Sequence, residues 1–167
     1  MTLWLAGMMG SGKTSSGGVA AASLGVPFYD TDVEVTAGLD CTVSELWERV
    51  GEGTFREMES DTVKRLAGLD AIVATGGGAV LQEVNRDVMT ASGPIVWLQA
   101  SPEEILERVG ATIGRPLLDN SSDRLEELRL LSKERADIYA EVADHVIETS
   151  GKSVAEVAEE IESLWGP

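Results

Sequence analysis

A single cysteine, Cys41, leaves no partner for an internal disulfide anywhere in the 167 residues, and it reads as a small buried residue in a reducing compartment. Basic residues are scarce as well: 13 Lys and Arg stand against 29 Asp and Glu, a net charge of −16. Such a chain repels polyanions at long range, which argues against a nucleic-acid partner and makes each retained cation worth locating. The remaining acid excess reads as solvated surface. No apolar run approaches the length needed to cross a bilayer, so no membrane partner is expected. No basic region precedes the short apolar stretch at the start, and the chain reads as soluble and cytoplasmic. Neither repeats nor a low-complexity linker divides it, so residues 1–167 read as one domain, expected to be a monomer.

What is present is a regular alternation. Short, continuous apolar runs at 3–6, 26–29, 71–74, 95–98 and 145–147 have the character of strands buried on both faces of a parallel sheet. Helical stretches separate them. Thr42 with Glu45 and Ser153 with Glu156 form capping boxes, and Ser101-Pro102-Glu103-Glu104 opens a further helix. The pattern predicts an α/β fold, a three-layer sandwich around a five-stranded parallel sheet. Trp4 and Trp165 are assigned to the core or a terminal helix contact, and Met8 and Met9 read as loop fillers. Gly17-Gly18 in the first helix costs about 1 kcal/mol per glycine relative to alanine, which predicts close packing there.

Residues 7–14 read GMMGSGKT directly behind the first predicted strand, the pattern of a phosphate-binding P-loop. Backbone N–H groups wrap a polyphosphate only where Cβ atoms are absent or turned away, hence Gly7, Gly10 and Gly12. Lys13 is expected to reach the β- and γ-phosphates. Thr14 offers a hydroxyl to Mg²⁺ at a helix N-terminus, whose partial positive charge favours the anion. The expected phosphate-binding set is Gly10, Ser11, Gly12, Lys13, Thr14 and Ser15.

Downstream residues bear on the acceptor. Asp30 and Asp32 lie at the carboxyl end of the second predicted strand, where ligands bind in parallel α/β sheets. Asp30 is the metal-side candidate and Asp32 the acceptor-side candidate, although a helix N-cap suits Asp32 equally well. Gly76-Gly77-Gly78 follows the third strand and is expected to expose backbone N–H groups to a small ligand, or simply to make a tight turn. Arg135 on its own reads as a surface arginine. The stretch GATIGRPLLDNSS at 110–122 has no strand or helix period, and a loop of that length predicts a lid carrying Arg115.

Taken together, GMMGSGKT, the DTD of Asp30 to Asp32, FRE around Arg56, the triple glycine, GRPLL at 114–118 and the arginine of KERADIY resemble the shikimate kinase family through nearly the whole chain. The resemblance implies a P-loop fold of the nucleoside-monophosphate-kinase type. It also implies ATP-dependent phosphorylation of the 3-hydroxyl of shikimate on the route to chorismate, with Mg²⁺. Asp32 is then expected to hydrogen-bond ring hydroxyls and act as base, while Arg56, Arg135, Gly77 and Gly78 hold the substrate. Trp47 and Phe55 line its pocket. Arg115 stabilises the transferring phosphoryl group and Arg108 stacks on adenine, so that Lys13, Asp32 and Arg115 form the expected catalytic set. The five cations Lys13, Arg56, Arg108, Arg115 and Arg135 would form a basic cleft in an acidic shell. Rival readings are a gluconate or nucleotide kinase of the same fold, and a binding protein without turnover. The small, flexible Ser15-Ser16-Gly17-Gly18 departs from the family pattern, as does Asp119-Asn120-Ser121-Ser122 in the lid.

Overall fold

Strands β1 (Thr2–Ala6), β2 (Phe28–Asp30), β3 (Ala71–Ala74), β4 (Ile95–Gln99) and β5 (His145–Glu148) pair in the order β2-β3-β1-β4-β5. Every pairing is parallel, with Leu5 opposite Ala74 on one side and Val96 on the other. The molecule, a computed structural model, is described for residues 1–110 and 123–166. All of the predicted lid after Gly110, with Arg115 and the GRPLL motif, therefore lies outside the described residues.

Two cores sandwich the sheet. One face packs Leu3, Leu5 and Ile72 against α1 (Lys13–Leu24) and α7 (Val154–Ser163), with Trp165 closing its edge. The opposite face packs Trp4, Ala6 and Val73 against α3 (Val43–Leu66), α4 (Glu83–Ser92), α5 (Pro102–Val109) and α6 (Arg124–Val142). Met8 and Met9 belong to this second core at 5% and 8% exposure, so they are buried packing residues and not loop fillers. Cys41 is only half-buried, beside the small cluster of Val35, Leu46 and Phe55, which corrects its assignment to the interior.

Local rules set the element ends. Both predicted capping boxes form, and Ser101 caps α5 by accepting from the Glu104 N–H. The second strand starts two residues later than the apolar run, because the Val26 N–H is committed to the Ala21 carbonyl at the end of α1. Helix α3 is broken at Gly51, whose φ of 79° and ψ of 165° interrupt the helix between Trp47 and Arg56.

The Gly17-Gly18 pair divides. A Cβ on Gly17 would sit 2.5 Å from Leu5 Cδ1 and 2.8 Å from Phe28 Cε2, whereas nothing lies within 4 Å of one on Gly18. The expected close packing thus holds for Gly17 alone. Gly17→Ala is expected to destabilise the protein by about 1–3 kcal/mol through overpacking. Gly18→Ala is expected to stabilise it by up to about 1 kcal/mol through helix propensity and unfolded-state entropy. Thermal unfolding of the two variants should show Tm shifts of opposite sign.

Candidate active site

Site residues come from the carboxyl ends of the strands, as the topology of an open parallel sheet requires. The chain leaves β1 through Gly7, where an added Cβ would lie 2.4 Å from the Leu98 carbonyl oxygen, and turns at Gly10 and Gly12 with φ of 71° and 97°. These positions need glycine for close approach and for positive φ. The loop surrounds a cavity of about 590 Å³ lined by Gly10, Ser11, Gly12, Lys13, Thr14 and Ser15, with Asp30 at its edge. Lys13 is buried, its ammonium donating to the carbonyls of Gly7 and Met8 at 2.8 Å each, which holds the charge at the loop.

Asp30 serves two neighbours. Its Oδ1 accepts from the Asp32 N–H at 3.0 Å, capping the short helix α2 (Thr31–Val35), while Oδ2 accepts from the Thr14 hydroxyl at 2.6 Å. The N-cap is therefore Asp30, and Asp32 stands in the first turn with its carboxylate beside Gly76. Arg108, also lining the cavity, donates to the Thr149 carbonyl at 2.8 Å and hydroxyl at 3.0 Å and reaches the Gly10 carbonyl at 3.4 Å.

A second, smaller cavity of about 80 Å³ opens between α3, the turn after β3, and α6, walled by Trp47, Phe55, Arg56, Gly77, Gly78 and Arg135. Trp47 and Phe55 pack with ring centroids 5.1 Å apart, and the Arg56 guanidinium lies 5.1 Å from the Trp47 ring. Arg135 is 6% exposed, overturning its isolated reading as a surface residue, and donates to the Gly77 carbonyl at 3.3 Å. The two cavities share Met9, Asp32 and Gly77 as a common wall.

The first glycine of the triple works differently from expectation. Its N–H is not offered to a ligand: Gly76 N–H donates to the buried Thr31 hydroxyl at 2.8 Å. What glycine permits is close approach. A Cβ on Gly76 would meet Glu59 Oε1 at 2.7 Å and Asp32 Oδ1 at 2.8 Å, and one on Gly78 would meet Arg56 Nη2 at 2.5 Å.

Sequence reasoning missed Glu59 and Tyr139. Glu59 is 2% exposed and accepts from Arg56 Nη1 at 2.8 Å. Burial pushes its carboxyl above the usual range, and the Arg56 guanidinium opposes that shift. Both residues were detectable in principle: Glu59 follows Arg56 by three positions and Tyr139 follows Arg135 by four, the two spacings that share a helix face.

A P-loop cavity that shares Met9, Asp32 and Gly77 with a pocket walled by two arginines could hold a phosphate donor beside a small anion. The shikimate kinase family model matches residues 9–165. The chain belongs to the shikimate kinase family. A shikimate kinase of Moorella thermoacetica is 44% identical over 158 residues, covering 94% of this chain and 90% of that protein. The solved shikimate kinase from Acinetobacter baumannii in complex with shikimate superposes with a TM-score of 0.92 at 36% identity, covering 98% of this chain and 91% of that one. A gluconokinase from Sinorhizobium meliloti shares the fold with a TM-score of 0.65 at 19% identity, covering 97% and 89%, which speaks to architecture alone.

Proposed function

We propose that this family member transfers the γ-phosphoryl group of ATP to the 3-hydroxyl of shikimate, giving shikimate 3-phosphate and ADP in aromatic amino-acid biosynthesis. The observation that carries the site assignment is the shared wall: Asp32 lines both the P-loop cavity and the arginine-walled pocket. An acceptor hydroxyl placed beside Asp32 thus faces the phosphate donor.

Roles follow from chemistry. Arg56 and Arg135 hold the shikimate carboxylate through charge-assisted hydrogen bonds, with Gly77 and Gly78 offering backbone contacts and Trp47 and Phe55 supplying the apolar wall. Glu59 occupies Nη1 of Arg56 and orients the guanidinium. Asp32 orients the hydroxyl and accepts its proton. Lys13 neutralises charge on the β- and γ-phosphates, and Arg108 covers the nucleotide end. The residues present fit Mg²⁺, which takes few protein ligands and keeps several waters: the Thr14 hydroxyl and Asp30 carboxylate touch each other at the cavity edge. Thr14 and Asp30 would hold that ion, which would supply neutralisation of the charge on the phosphate chain.

Arg115, outside the described residues, is assigned to the transferring phosphoryl group. Arg115→Ala is expected to lower kcat by on the order of 10³-fold while changing the KM for shikimate by only a few fold. Comparable losses in both would make it a binding residue. The same reading makes the enzyme a cytoplasmic monomer acting on small molecules, without nucleic-acid or membrane partners. No helix among the described residues is long and apolar enough to cross a membrane.

The test is a coupled ADP-release assay across shikimate, quinate, gluconate and nucleoside monophosphates. Turnover with shikimate well above the others is expected. Preference for gluconate or a nucleotide would overturn the proposal, and tight binding of both substrates without turnover would establish a non-catalytic role.

A further inference from the structure

Tyr139 makes no contact that phosphoryl transfer itself requires, yet it is tied to the acceptor pocket through the backbone. It lies one helical turn after Arg135 on α6 and is 1% exposed. Its hydroxyl donates to the Gly77 carbonyl at 2.6 Å, the same oxygen that Arg135 Nη1 reaches at 3.3 Å. Its ring stacks on Trp97 with centroids 5.5 Å apart and planes inclined by 20°.

The Gly77–Gly78 peptide joins two glycines and follows a third, Gly76, in a turn outside the sheet, where the backbone has the widest choice of conformations. The turn is closed by the Ala79 N–H donating to the Gly76 carbonyl at 3.0 Å, and among the described residues neither the Gly77 nor the Gly78 N–H donates to a protein acceptor, so the contacts at the Gly77 carbonyl are what hold the central peptide directly. The peptide is trans, which sets C=O and N–H in opposite directions. A carbonyl pinned toward α6 turns the Gly78 N–H away from α6, and Arg56 approaches the Gly78 Cα where a Cβ would stand, on the wall of the acceptor pocket.

We propose that Tyr139 is a positioning residue for the acceptor: its hydroxyl latches the Gly77–Gly78 peptide and seats Arg135, so that the Gly78 N–H and the Arg135 guanidinium meet the substrate anion already aligned. The inference rests on reading this pocket as the shikimate site. Burial pushes the Tyr139 hydroxyl up to about 12, so it remains a neutral donor at working pH and the latch does not open by titration.

Tyr139→Phe keeps the stacked ring and removes only the donor. Steady-state kinetics are expected to show the KM for shikimate raised roughly 3- to 10-fold, the worth of one neutral hydrogen bond. The KM for ATP should be unchanged and kcat within about twofold of wild type. A merely structural tyrosine would lower Tm without this split. An unchanged KM for shikimate in a folded Tyr139→Phe enzyme overturns the proposal, as does an equal rise in both KM values. Trp97→Phe is the companion variant, since it disturbs the stack and retains the hydroxyl. It is expected to lower Tm and leave the KM for shikimate in place; a rise matching that of Tyr139→Phe would assign the effect to ring packing and also overturn the proposal. Wild-type enzyme that fails to phosphorylate shikimate would instead refute the substrate assignment, a result distinct from either variant's failure.

Discussion

Asp32→Asn is expected to reduce kcat by roughly 10²- to 10⁴-fold, the range for loss of a positioned general base. Asparagine has the same shape and still offers an oxygen to a ring hydroxyl, so the KM for shikimate should move by only a few fold. The side chain lies in the first turn of α2, where losing a negative charge costs about 0.3–1 kcal/mol of helix-dipole interaction, too little to unfold the enzyme. The Asp30 cap on that helix is untouched, because it is the Asp32 backbone N–H that donates to it. A kcat within tenfold of wild type would show that Asp32 only orients the acceptor. A collapse in ATP affinity would move its role to the donor side.

Gly78→Ala is the second large effect, on affinity. The added methyl would stand 2.5–2.9 Å from Arg56 Nη2, Nη1 and Cζ, so the guanidinium has to move. It can move only by leaving Glu59 at 2.8 Å and the face of Trp47 at 5.1 Å. Displacing a charge-assisted contact worth about 1.5–3 kcal/mol should raise the KM for shikimate roughly 10- to 150-fold, with the KM for ATP unaltered. Gly77→Ala provides the contrast. Its nearest neighbours would be 3.5 Å away, ordinary van der Waals distance, and a markedly smaller effect is expected. Equal effects at the two positions would mean that turn flexibility, and not the Arg56 approach, explains the glycines.

Legibility in the sequence followed the range of the forces involved. The P-loop was readable because its requirements are local: positive φ at Gly10 and Gly12 and a lysine and threonine at the helix start are fixed by adjacent residues. Caps were readable for the same reason. Asp30 and Asp32 were separable only in three dimensions, since both are good capping residues two positions apart, and the extended backbone at Asp30 decides between them. Gly17 and Gly18 look identical in the chain, but one faces Leu5 and Phe28 and the other faces nothing. Arg135 and Glu59 are buried by partners 58 and 3 positions away, Gly77 and Arg56, and the longer of those distances lies beyond any periodicity. The resemblance to a family supplied roles for Arg56 and Arg135; it did not supply the steric reason for Gly76 and Gly78, where a Cβ would meet Glu59, Asp32 or Arg56.

The wall of Met9, Asp32 and Gly77 that the two cavities have in common has a further consequence for ligand design. A molecule that joins a nucleotide phosphate chain to a carboxylated ring would have to carry its linker past Met9, Asp32 and Gly77, the three residues that border both halves. Binding of one half then presents the other at high effective concentration, and the affinity of the joined compound should far exceed that of either fragment.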